Sequence, residues 1–115
     1  QHGAARPRSH AHFRRFGELL DQWHTRHHDV RHYAGALNIT PAHLNVITRE
    51  HAGKSPLELI HERLQLEASR SLVYTSMTIG EISDALGFSD PAYFTRFFKK
   101  GSGVSPKAFR QRAGT

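Results

Sequence analysis

The chain has 115 residues, 37% of them hydrophobic and 23% charged, which is enough for one globular domain with a modest core. Its formal charge is +6, which points to a polyanionic partner, either nucleic acid or an acidic membrane surface. There is no cysteine, which excludes disulfides, zinc–thiolate sites and cysteine nucleophiles and fits a reducing cytoplasm. No apolar run approaches membrane-spanning length and no signal peptide is visible, so no membrane partner is expected.

In chain order, residues 1–9 mix Gly, Ala, Arg and Pro without periodicity and read as a linker, the remnant of a protein that extends further N-terminal. The domain itself is expected over residues 10–115. Phe13, Phe16, Leu19, Leu20 and Trp23 mark an amphipathic helix over about 10–27. Residues 30–53 then read as helix, turn, helix: a short first helix over 30–37, a turn at Asn38-Ile39, and a second helix over about 41–51. Thr40 is a good N-cap, because its hydroxyl oxygen can accept a free amide of the first turn. Pro41 follows at the first helical position, where a missing N–H costs nothing, and Gly53 closes the helix.

Residues 56–75 contain no Gly and no internal Pro, and read as a long connecting helix. Ile60, Leu64, Ala68 and Leu72 form one apolar stripe, and Leu59, Leu66 and Val73 another; that width suits a helix buried on two sides. A second helix-turn-helix is expected over 78–101, with helices over 78–86 and about 91–100 and a turn at Gly87-Phe88. Asp90, Pro91 and Gly103 repeat the cap, first-turn and closing roles, and Ser105-Pro106 starts a last helix. No strand alternation appears, so the fold class is all-α: two helix-turn-helix subdomains joined by a long central helix.

The two units repeat each other. Pro41-Ala42 and Pro91-Ala92, Gly53 and Gly103, and Ser55-Pro56 and Ser105-Pro106 coincide at one offset. Upstream, Tyr33-Ala34-Gly35-Ala36-Leu37 parallels Ile82-Ser83-Asp84-Ala85-Leu86. A duplicated supersecondary unit accounts for this better than chance.

Helical spacing separates the faces of the second helix in each unit. Phe94, Phe97 and Phe98 make a core face, which leaves Ala92, Thr95, Arg96 and Lys99 outward. Arg96 can donate two hydrogen bonds to guanine O6 and N7, and Ala92 or the Thr95 methyl can touch a thymine methyl. Ser89, Lys99, Lys100 and Lys107 suit phosphates, which add affinity but little specificity. Every residue after Asp90 is neutral or basic, with Arg110 and Arg112 completing the run. In the first unit Leu44 and Ile47 face the core, and Ala42, Asn45, Val46 and Arg49 face outward. Asn45 can pair bidentately with adenine, while Thr40 and Arg49 suit phosphates. The base-reading set is therefore Ala42, Asn45, Val46, Ala92, Thr95 and Arg96.

No Ser/His/Asp arrangement or Gly-rich phosphate loop is evident, so neither a catalytic site nor a cofactor is expected. His24, His27 and His28, with Asp29 and His32 beyond, have a spacing at which two histidines can share a metal. Without a Glu general base or a cysteine nearby, they read as solvated or helix-capping histidines, and no metal is expected. A sequence-specific DNA-binding module is the reading; the alternative is a nonspecific or architectural DNA-binding protein.

The run Ile79-Gly80-Glu81-Ile82-Ser83-Asp84-Ala85-Leu86-Gly87-Phe88, continuing through Tyr93-Phe94, Phe98-Lys99 and Gly103-Val104-Ser105-Pro106-Lys107-Ala108-Phe109-Arg110, resembles the AraC/XylS signature. That signature runs I-A-x-x-x-G-F-x-x-x-x-Y-F-x-x-x-F-K, then G-x-S-P-x-x-Y/F-R, and the similarity covers about 13–112. The resemblance implies about seven helices in a homeodomain-like arrangement. It also implies two recognition helices entering successive major-groove segments of double-stranded DNA, in a bacterial transcription regulator. Contact with RNA polymerase, and an effector or dimerisation domain N-terminal to this segment, are implied in the same way. The chain departs from the pattern at Ser83, where the family usually has Ala, and at Val46, where it often has Arg.

Overall fold

The computed structural model describes residues 7–114. It contains seven helices, with no strand among the described residues: α1 (Pro7–Trp23), α2 (Val30–Ala36), α3 (Pro41–Ala52), α4 (Pro56–Tyr74), α5 (Ile79–Ala85), α6 (Pro91–Ser102) and α7 (Pro106–Ala113). Two compact units divide the chain, one up to His61 and the other from Glu62, so the boundary falls inside α4. No helix among the described residues is long and apolar enough to cross a membrane.

Most of these helices are too short to persist alone in water, α2 and α5 above all with 7 residues each. Their ends are fixed locally. Thr40 accepts from the His43 amide at 3.0 Å, Asp90 from the Tyr93 amide at 2.7 Å and Ser105 from the Ala108 amide at 3.1 Å. Thr78 and Glu81 cap each other reciprocally at 3.0 and 2.8 Å, and Ser55 and Glu58 do the same at 3.1 and 2.8 Å. The amide and hydroxyl of Ser55 hold the Glu58 carboxyl below its ordinary value, and the Arg31 amide does so for Asp29, the cap of α2. Both helix-turn-helix turns close alike. Ile39 N–H donates to Ala34 O at 3.1 Å and Phe88 N–H to Ser83 O at 3.0 Å, around a left-handed residue. That residue is Gly87 at φ 85° in the second unit but Asn38 at φ 57° in the first, one of the few side chains that tolerate the conformation.

Each cap is worth about 1 kcal/mol, whereas fully burying one large apolar side chain is worth roughly 1.5–3 kcal/mol, so packing decides the fold. In the first unit Phe16, Leu19 and Leu20 are buried along with Tyr33, Leu44, Ile47 and Ile60. The Tyr33 ring lies 5.5 Å from Phe16 and 5.6 Å from Trp23, and its hydroxyl donates to His27 O at 2.8 Å. In the second unit Leu64, Ala68 and Leu72 of α4 are buried along with Ile82, Leu86, Phe88, Phe94 and Phe98. The Phe88 ring touches those of Tyr93, Phe94 and Phe97 at 5.1–5.5 Å.

The structure corrects three expectations. First, α1 starts at Pro7, so residues 7–9 are helical and not linker; Pro at the first helical position is pre-organised for a helix. Residues 1–6 of the expected linker lie outside the described residues. Second, α1 stops at Trp23, short of residue 27. There His24 Nδ1 donates to Leu20 O at 2.9 Å, and the amides of Arg26 and His27 turn back to Trp23 O, both at 2.8 Å. Third, only one stripe of α4 is buried. Leu66 and Val73 are 45% and 41% exposed, and Leu59 is half-buried. At about 100° per residue, Leu66 points almost opposite Leu64, so the Ile60–Leu72 ridge is the apolar stripe that is buried, while Gln65 Nε2 beside it donates to Phe98 O at 3.3 Å.

The Ser83 hydroxyl is fully buried and has no hydrogen-bond partner among the described residues. A buried polar group left unpaired costs about 1–3 kcal/mol. Ser83→Ala is therefore expected to stabilise the chain by about 1 kcal/mol, read in thermal melting as a rise of roughly 4 °C. A lowered melting temperature would show that the hydroxyl does bonding work in solution.

Candidate nucleic-acid interface

Burial of Leu44, Ile47 and Thr48 sets the roll of α3 about its axis and turns Ala42, Val46 and Arg49 to solvent, with Asn45 half-buried. Val46 is 61% exposed. Thr40 is exposed at the cap; its oxygen accepts the His43 amide, which leaves its O–H proton to donate outward. Arg49 Nε donates to Asn45 Oδ1 at 3.1 Å, one helical turn away. The two side chains thus form a unit that sequence spacing did not suggest. Its outward donors are the Asn45 amide nitrogen and the Arg49 Nη groups, and the Asn45 oxygen keeps one lone pair.

On α6, Phe94 and Phe98 are buried while Phe97 is half-buried, so the core face is narrower than the aromatic spacing suggested. Ala92, Arg96, Lys99 and Lys100 are exposed, Thr95 is half-buried, and Ser89 is exposed in the turn before the helix. Lys107 is exposed on the first turn of α7. Among the described residues, the side chains of Arg96, Lys99, Lys100 and Lys107 have no hydrogen-bond or ion-pair partner. Their donors are free to meet an anion.

The basic run is not uniform. Arg110 Nε donates to Leu72 O at 3.0 Å, and its Nη2 to Thr75 O at 3.2 Å and Ser71 O at 3.4 Å. Arg110 is thus spent on carbonyls at and just beyond the C-terminal end of α4, where intrahelical donors run out; Ser71 O is shared with the Thr75 amide and hydroxyl. Two further exposed side chains escaped sequence reasoning, His43 and Tyr93, which occupy matching places in the repeat beside Ala42 and Ala92. The repeat itself was the signal for them. No group of three or more His, Cys, Asp or Glu among the described residues is placed to hold a metal ion. His27 instead stacks on His32 at 4.2 Å; desolvation, then the neighbouring His32, Arg26 and His28, hold its imidazole below the ordinary value.

Two capped helices, each presenting small, polar and basic residues on one face, follow connections of four residues (37–40) and five residues (86–90), one in each half of the chain. A family model for a helix-turn-helix domain matches residues 33–112. The chain belongs to the AraC-type helix-turn-helix family. It is 36% identical over 77 residues to the HTH-type transcriptional regulator GlxA of Rhizobium meliloti, covering 67% of this chain and 24% of that protein. It is 32% identical over 93 residues to the lactose operon transcription activator of Staphylococcus xylosus, covering 81% of this chain and 33% of that one. The chain therefore spans a quarter to a third of the length of these relatives. Among solved structures it is similar to the C-terminal domain of AraT, a response regulator from Geobacillus stearothermophilus. There the TM-score is 0.81 at 27% identity, over 93% of this chain and 86% of that one.

Within this AraC-type frame Val46 is the odd residue, since the repeat sets it against Arg96. Val46→Arg should leave stability within about 0.5 kcal/mol, because the site is exposed. It should steepen the salt dependence of binding to a random-sequence duplex by about one unit. Titrations at several salt concentrations with parallel melting test this. Unchanged binding at every salt would place this face of α3 away from DNA, and a large loss of melting temperature would contradict the exposure of Val46.

Proposed function

We propose that the chain is the sequence-specific DNA-binding part of a bacterial transcription regulator, and that α3 and α6 enter successive major-groove segments of a promoter. Ala42, Asn45, Val46, Ala92, Thr95 and Arg96 face base edges in this reading. Thr40, Arg49, Ser89, Lys99, Lys100 and Lys107 meet phosphates. The observation that carries it is Arg96: an exposed guanidinium without a protein partner among the described residues, on a capped helix whose roll is fixed by buried Phe94 and Phe98. Ala92 and Thr95 beside it are small enough to let the backbone approach a base edge, and Lys99 and Lys100 continue the basic face.

The larger protein would act in the cytoplasm, joining this domain to an N-terminal effector or dimerisation domain and working through RNA polymerase at the promoter. Activation is the mode in which the similar lactose operon transcription activator is named.

The test is selection of binding sites from a pool of random duplexes, followed by Arg96→Ala. The variant should lose about 1–3 kcal/mol on the selected site and relax preference at one base pair. Equal losses on selected and random duplexes would reduce Arg96 to a phosphate contact and favour nonspecific binding.

A further inference from the structure

The first unit holds a cleft of about 350 Å³ lined by Arg8, Ser9 and His12 of α1 and by His43, Val46 and Glu50 of α3. Arg8 and His12 are one turn apart on α1, and His43, Val46 and Glu50 follow one another up a single side of α3. The cleft is therefore the groove between two helix ridges at the N-terminal end of α1. Val46 belongs to it and to the outward face of α3 at once.

The first turns of α1 are held against α3 by specific contacts. Ser9 Oγ donates to Glu50 Oε1 at 2.8 Å and lies 3.1 Å from His51 Nε2. The Phe13 ring stacks on the His51 ring at 5.0 Å, and the His12 ring meets His43 edge-on at 6.0 Å. Glu50, the one carboxylate of the lining, is engaged by the Ser9 hydroxyl and lies 3.8 Å from His51 Nε2. Arg8 has no such engagement: among the described residues nothing bonds or pairs with its exposed guanidinium. This exposed cationic side chain shares a cleft with Val46, the residue that the repeat sets against Arg96.

We propose that Arg8 is a DNA phosphate contact of the first unit, supplying from α1 the cation that α3 lacks at Val46. The inference rests on the reading that α3 enters the major groove. A helix in that groove is flanked by the sugar–phosphate backbone, and the backbone on the α1 side of Val46 passes the mouth of this cleft. The contact adds affinity and register but no base preference, because phosphates carry no sequence information. In this division of labour α6 brings its own arginine to the groove, whereas α3 offers an apolar Val46 to the bases and the charge missing at that one position comes from the neighbouring helix.

The test compares the unaltered chain with Arg8→Gln, and with Arg14→Gln as the control. Arg14 is exposed, lies about 120° around α1 from Arg8 and nearly two turns further along, does not line the cleft, and its replacement removes the same charge. Each is titrated with a scrambled 24-base-pair duplex and with a selected duplex at several salt concentrations, with thermal melting alongside. Arg8→Gln should weaken both complexes by the same factor, on the order of five-fold, and lower the slope of log affinity against log salt by about 0.9. Arg14→Gln should change neither slope nor affinity by as much. Ser9→Ala, which frees the first turn of α1, should weaken binding less than Arg8→Gln and add little to it in the double variant. Equal effects of Arg8→Gln and Arg14→Gln would overturn the proposal, as would a loss confined to the selected duplex. Arg49→Gln on α3 separates the two levels. If it weakens binding while Arg8→Gln does not, only the Arg8 assignment falls; if neither does, α3 does not dock and both readings fall.

Discussion

Leu44 and Ile47 in the first unit and Phe94 and Phe98 in the second are the residues on which the other features depend. Each pair sits one turn apart and is fully buried, which fixes not only where its helix lies in its unit but how it is rolled. Once the roll is fixed, the identity of the outward residues follows without further choice: Ala42, Val46 and Arg49 on one helix, Ala92, Arg96 and Lys99 on the other. The caps act after this. Thr40 and Asp90 fix where each helix starts, and so which turn leads, while burial supplies the larger share of the free energy.

The duplication has been kept in its geometry and relaxed in its chemistry. Asn38 performs at φ 57° what Gly87 performs at 85°, and Thr40 caps where Asp90 caps. The buried faces of the second helices differ more, aliphatic Leu44 and Ile47 on α3 but aromatic Phe94 and Phe98 on α6. The outward faces differ most, with Val46 against Arg96. An exposed residue without a packing partner changes at little cost in stability, so one geometry can serve two readers of different selectivity.

What the sequence made legible was whatever is encoded within a few residues. The caps, the prolines at the first helical position, the closing Gly53 and Gly103 and the limits of α4 all depend on local chemistry and stand where spacing put them. What it did not make legible depends on partners far along the chain. Arg110 reads as one more cation in a basic run until Leu72, 38 residues away, claims it. Arg8 reads as linker until Ser9 meets Glu50 across 41 residues. The second stripe of α4 has sound helical spacing, yet spacing cannot say whether an element lies opposite to cover it. Asn45 and Arg49 are a different case: their four-residue separation is local and permits a bond within the helix, yet the same two side chains also suit DNA, and spacing alone does not choose between the two.

The central claim is that both outward faces engage DNA within one chain. The direct measurement is protection of guanine N7 from methylation along a selected duplex, with the stoichiometry of the same complex measured by sedimentation. The account predicts two protected major-groove segments on successive turns and one chain per duplex. A single protected segment at full affinity, or two chains on one such site, would contradict it.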